Sequence, residues 1–150
     1  MNIAKRLEQY KEFYVYFCEP IKNNIMTDSN FIRILYSNEF MTLSGIFLII
    51  NINDMICEKY YNKYKCVFNP NYHNEMIQKI KQIEENLLQK CDIQNKTPQY
   101  KIYEQLKNGF IKIFHEVNPK QTNNFIIKIS GIWETQNSYG VTYKFISIQN

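Results

Sequence analysis

One stretch of this sequence has helical periodicity over several turns, and segments that alternate like strands stand on both sides of it. It runs from Asn69 to Cys91. Asn69-Pro70 is a helix start: an Asn side chain accepts from a free backbone N–H, and Pro at the first helical position loses no hydrogen bond. Apolar residues then fall at Met76, Ile77, Ile80, Ile83, Leu87, Leu88 and Cys91, which draws one stripe down a helix. A single amphipathic helix must bury that stripe against other elements.

Residues 31–36, 41–52 and 60–68 read as strands before the helix; 110–115, 125–133 and 140–148 read as strands after it. Residues 3–10 read as a short helix and 13–17 as a further strand. Residues 92–99 and 117–124 read as loops, and 100–107 fits either a strand or a short helix. Gly45 lies inside a strand pattern, where glycine marks a bulge, a bend or a close approach. The expected class is mainly β with one long helix (α+β). The expected architecture is an OB-fold-like small curved barrel, with the helix between strands three and four. No repeat or linker divides the chain, so residues 1–150 are read as one domain.

Composition excludes several functions. Hydrophobic residues make up 45% and charged residues 21%, which is globular and not disordered. The four glycines, Gly45, Gly109, Gly131 and Gly140, are dispersed, so no phosphate-cradling loop exists. The aspartates Asp28, Asp54 and Asp92 lie far apart, which gives no carboxylate cluster for metal-assisted hydrolysis. Glu84 and Glu85 point about 100° apart on the helix and read as a solvated edge. Cys18, Cys57, Cys66 and Cys91 form no C-x-x-C pair and stand at no zinc spacing to His73 or His115. They read as small, reduced, buried hydrophobes. No catalytic residue, metal or cofactor is expected, and the chain is not read as an enzyme. Its longest apolar run, 46–50, is too short for a membrane, and its start lacks a signal-peptide pattern. A soluble, intracellular protein with no membrane partner is expected.

What remains is a binding pattern. Holding a single nucleic-acid strand needs cations for phosphates and flat rings for bases. Tyr60-Tyr61-Asn62-Lys63-Tyr64-Lys65, preceded by Lys59, offers both with no acid among them. Arg33, Lys65, Lys112, Lys128 and Lys144 each sit inside a strand, opposite its most apolar neighbours. Arg33, Lys63, Lys65, Lys112, Lys128 and Lys144 are therefore the expected phosphate ligands. Tyr60, Tyr61, Tyr64, Phe110 and Phe114 are the expected stacking rings. The same pattern also fits a half-exposed sheet that binds protein or plays a structural part. Trp133, in step with Ile127 and Ile129, reads as core. Tyr36, in step with Ile32 and Ile34, fits core and open face equally.

Phe125-Ile126-Ile127-Lys128-Ile129-Ser130-Gly131-Ile132-Trp133-Glu134, followed by Tyr139-Gly140-Val141-Thr142-Tyr143-Lys144-Phe145, resembles the last strands of OB-fold single-stranded-DNA-binding proteins. These occur in large nucleocytoplasmic DNA viruses of the African swine fever virus and giant-virus type, and are distantly similar to single-strand binders of T7-type phages. Phe31-Ile32-Arg33-Ile34-Leu35-Tyr36-Ser37, Asn62-Lys63-Tyr64-Lys65-Cys66-Val67-Phe68 and Gln105-Leu106-Lys107-Asn108-Gly109-Phe110-Ile111-Lys112 extend the likeness over most of residues 13–148. The resemblance implies non-catalytic coating of single-stranded DNA in viral replication, recombination or repair, in the host cytoplasm or nucleus. Its implied partners are single-stranded DNA, with RNA, a second copy of the chain and replication proteins as further candidates. The competing expectation is a protein-interaction or structural module of such a virus, using the same aromatic sheet.

Overall fold

The computed structural model describes residues 3–22, 29–114 and 123–148. In chain order its strands are β1 (Lys5–Arg6), β2 (Val15–Phe17), β3 (Ile21–Lys22), β4 (Asn30–Ser37), β5 (Thr42–Leu43), β6 (Ile46–Asn51), β7 (Ile56–Tyr60) and β8 (Lys63–Val67). Helix α1 (Asn74–Lys90), strand β9 (Thr97–Gln99), helix α2 (Lys101–Lys107), β10 (Phe110–Ile113), β11 (Asn124–Glu134) and β12 (Ser138–Ser147) complete them. The protein is mainly β with one long helix, and its strands form an open, curled sheet.

The long hairpin of β11 and β12 is the spine. On its other edge β11 changes partner partway along. Asn124 to Ile129 pair with β6, and Gly131 to Glu134 pair with β4. The change falls at a bulge, where the β11–β12 register shifts between Ile129 and Gly131. A bulge bends its strand and increases the twist, and two glycines make room for it. A Cβ on Gly131 would lie 2.3 Å from the Ile32 carbonyl oxygen. Gly45, at φ +121°, has its open side 2.9 Å from the Ile129 carbonyl oxygen. The sequence expectation of a bend at Gly45 thus holds, and it breaks the expected strand 41–52 into β5 and β6.

The concave side of the sheet is the core. Alternation turns Ile46, Leu48 and Ile50 of β6 inward, with Phe125 and Ile127 of β11 and Ile111 and Ile113 of β10. Helix α1 closes this side with Ile77, Ile80, Ile83, Leu87 and Leu88, all buried, while Met76 and Cys91 pack at its margin. Each such side chain contributes about 1.5–3 kcal/mol by leaving water. The Asn69 side chain accepts from the Asn71 N–H at 3.0 Å, and Pro70 opens a 3-10 turn that runs into α1. Tyr36 belongs to the core at 2% exposure, and its hydroxyl accepts from the Lys11 N–H.

Several expectations need correction. The bulge reverses parity along β11, so Ile132 takes the core position and Trp133 lies half-buried against Gly140. The expected strand 60–68 is a hairpin, because Tyr61 and Asn62 make a two-residue turn between β7 and β8. Residues 3–10 hold β1 and a 3-10 turn (Leu7–Gln9) in place of a helix. Residues 97–99 pair with β12 and are no loop, and 100–107 resolves as α2. Glu84 is no solvated edge: it is 1% exposed. Its two carboxylate oxygens accept from the Ile102 and Tyr103 N–H groups at 3.0 and 2.9 Å, which caps α2. His115 and most of the predicted loop 117–124 lie outside the described residues.

Candidate functional site

The convex face is built by the same alternation that buries the core. On β8, Cys66 points in and Lys65 points out; on β10, Ile111 and Ile113 point in and Lys112 out. On β12 and β11, Phe145 and Ile127 point in, while Lys144 and Lys128 take the other side.

Register then aligns these cations. Lys65 faces Lys112, and Lys144 faces Lys128. Ile113 is level with Phe145 in the parallel β10–β12 pair, so Lys112 is level with Lys144. Lys65, Lys112, Lys144 and Lys128 therefore form one row across four adjacent strands. At about 4.8 Å per strand the row spans about 14 Å. Glu58 faces Lys65 at one end, and Phe47 faces Lys128 at the other. Like charges placed directly opposite each destabilise a sheet by about 0.2–1 kcal/mol. Three such contacts in a line work against folding, and a polyanion laid on them would relieve the repulsion.

Aromatic rings accompany the row. The Lys65 ammonium lies 4.9 Å from the Phe110 ring centre and that of Lys112 5.8 Å from the same ring. Lys128 lies 5.6 Å from Phe47. One step along, Lys63 lies 4.5 Å from Phe114 and faces Tyr60 across the hairpin. An ammonium within about 6 Å of a ring face is held by the ring quadrupole, which keeps these flexible side chains near the aromatic surface. Lys59, Tyr60, Lys63, Lys65 and Lys112, with Glu58, line a cleft of about 440 Å³ at this end of the sheet.

The hairpin tip carries Tyr60 and Tyr61, exposed and packed edge to face at 4.7 Å. Tyr61 has φ +56°, a left-handed conformation costly for a bulky side chain. Glycine or asparagine would suit the position better, so the exposed ring is held there against local backbone preference.

The expected site residues do not all gather. Lys63, Lys65, Lys112, Lys128, Lys144, Phe110 and Phe114 share the face, and Tyr60 and Tyr61 extend it at the tip. Arg33 is exposed on β4 opposite Gly131, beyond the bulge and outside the row. Tyr64, expected as a stacking ring, turns the other way and packs against the core, because it alternates with Lys63 and Lys65. Phe47 joins the expected residues on this face; its place between buried Ile46 and Leu48 is the signal that turns it outward.

Among the described residues no three His, Cys, Asp or Glu side chains converge as a metal site. No described helix is long and apolar enough to cross a membrane. Among the described residues two carboxyls have displaced proton affinities. Burial pushes Glu84 up to about 7, against the lowering effect of its two backbone N–H partners. The Lys96 ammonium, 2.9 Å away, and the Asn30 amide hold Glu134 below the usual range. Both lie at structural joints, not on the lysine row. No family model, curated protein or solved structure matches this chain.

Proposed function

We propose that the chain binds single-stranded DNA on its convex sheet face, without catalysis and with little regard for sequence, in viral DNA replication, recombination or repair. The observation that carries this is the row Lys65–Lys112–Lys144–Lys128. It places like charges side by side at a cost to the fold, and it is bordered by Phe47, Phe110 and Phe114. The ammonium groups neutralise successive phosphates, and the rings offer faces to unpaired bases. A curled sheet used in this way, with the helix after β8 closing the opposite side, is the OB-fold manner of binding that the sequence resemblance implies.

Docking of a protein on the same face is the second reading. It is favoured by exposed Ile56 and Val67, which face each other beside Phe110. Fluorescence anisotropy with a labelled oligo-dT of about 30 nucleotides separates the two; a typical OB-fold site covers about 4–16. Tight binding that weakens with salt and resists duplex competitor is expected. Absence of binding at low salt would overturn the single-strand reading in favour of a protein partner.

A further inference from the structure

The hairpin that carries Tyr60, Lys63 and Lys65 also holds two thiols. Cys57 on β7 and Cys66 on β8 are direct register partners. Both point to the core side and both are reduced. Their place in the ladder follows from the turn. Tyr60 and Lys63 close a two-residue loop and are therefore a hydrogen-bonded pair. Pair types alternate away from the turn, so Cys57 and Cys66, three steps on, are a non-hydrogen-bonded pair. The Cα atoms of such a pair stand about 4.5 Å apart, inside the span a disulfide bridges. Among the described residues β7 pairs with β8 alone, so it is an edge strand free to open locally.

We propose that Cys57 and Cys66 form a reversible disulfide that locks edge strand β7 onto the sheet. The oxidant is a small-molecule disulfide such as oxidised glutathione. In a transient opening of β7, the Cys57 thiolate attacks one sulfur of that disulfide and releases one thiol. The Cys66 thiolate then attacks Cys57 in the mixed disulfide and releases the second. Two cysteines lose two electrons and two protons, and the oxidant becomes two thiols. Both thiols are buried from solvent, and burial with Cys57 adjacent also pushes the Cys66 thiol up, so the closed hairpin shields the pair from the oxidant and the opening sets the rate. The consequence for binding rests on the nucleic-acid reading above: the lock fixes the strand that presents Tyr60 and borders the cleft.

The test uses the full chain, folded and reduced, then incubated with excess oxidised glutathione. The expected product is a monomer lighter by two hydrogens, returned to its first mass by reductant. Lys59, Lys63 and Lys65 lie between the two cysteines, so trypsin should yield two peptides joined through Cys57 and Cys66. Amide exchange over residues 56–60 should slow by about tenfold or more. Cys57→Ser and Cys66→Ser should each prevent the mass loss. A stable glutathione adduct without closure, a bridge to Cys18 or Cys91, or unchanged thiols while the urea-unfolded chain oxidises would each overturn the proposal. None of these readouts involves nucleic acid, so the failure of either reading leaves the other standing.

Discussion

Replacing Lys144 by Gln should make the protein more stable and a weaker binder at once. Lys144 faces Lys128 on β11 and is level with Lys112 on β10, and among the described residues no ring lies over it to compensate. Two like-charge contacts disappear, each worth about 0.2–1 kcal/mol. The side chain is exposed and screened by water and salt, so the expected gain is at the low end, about 0.5 kcal/mol. For binding, each phosphate neutralised on a single strand adds about −0.7 to the slope of log K against log salt. The row of four predicts a slope of about −2.8, and Lys144→Gln should reduce it to about −2.1. Urea unfolding at low and high salt reads the first effect, which should vanish at high salt. Anisotropy with oligo-dT over a salt series reads the second. Lys79→Gln is the control: Lys79 lies on α1, paired with Glu75, and should leave the slope unchanged. A loss of stability at low salt would refute the like-charge row, and an unaltered slope would remove Lys144 from the phosphate path.

Two further perturbations probe the tip and the helical joint. Tyr61→Gly removes a left-handed strain of about 1–2 kcal/mol, partly offset by glycine's freedom in the unfolded chain. Thermal unfolding should move up, while oligo-dT affinity drops by the stacking contribution of about 1–3 kcal/mol; equal affinity would show that the ring contacts no base. Glu84 gives the stability a pH dependence of known sign. Its carboxyl is raised from 4.5 to about 7, so the folded chain keeps a proton that the unfolded chain releases. The stability it contributes is full below pH 4.5 and is lost as pH rises through about 7, a change of about 3 kcal/mol. Glu84→Gln lacks this loss, so wild-type stability relative to that variant should fall across the window. A difference that stays flat with pH would mean the carboxyl is not held in its protonated form.

Much of the scaffold was legible because periodicity records which face an element buries. The α1 stripe from Ile77 to Leu88 and the outward cations of β8, β10, β11 and β12 all follow from steps of 3.6 or 2 residues. Periodicity fails where the backbone slips by one residue. The bulge after Ile129 sends Ile132 inward where Trp133 was expected. The turn at Tyr61–Asn62 was hidden because Tyr61 occupies a left-handed position without glycine. The burial of Glu84 is not legible locally, because its partners, Ile102 and Tyr103, lie on α2, a segment whose pattern fits either a strand or a short helix.

The sequence by itself determined which residues could serve: a lysine or arginine in β4, β8, β10, β11 and β12, with rings beside them. Each strand's choice of inner and outer face is a local matter, settled by the alternation of side chains. Only the tertiary structure decided which of those residues stand together. Lys65, Lys112, Lys144 and Lys128 are far apart in the chain and meet because β10 runs between β8 and β12 in a particular register. The same pairing excludes Arg33, carried beyond the bulge, and Tyr64, turned to the core. Strand order and register arise from long-range burial and hydrogen bonding that no single segment contains, and there the row of charge is made.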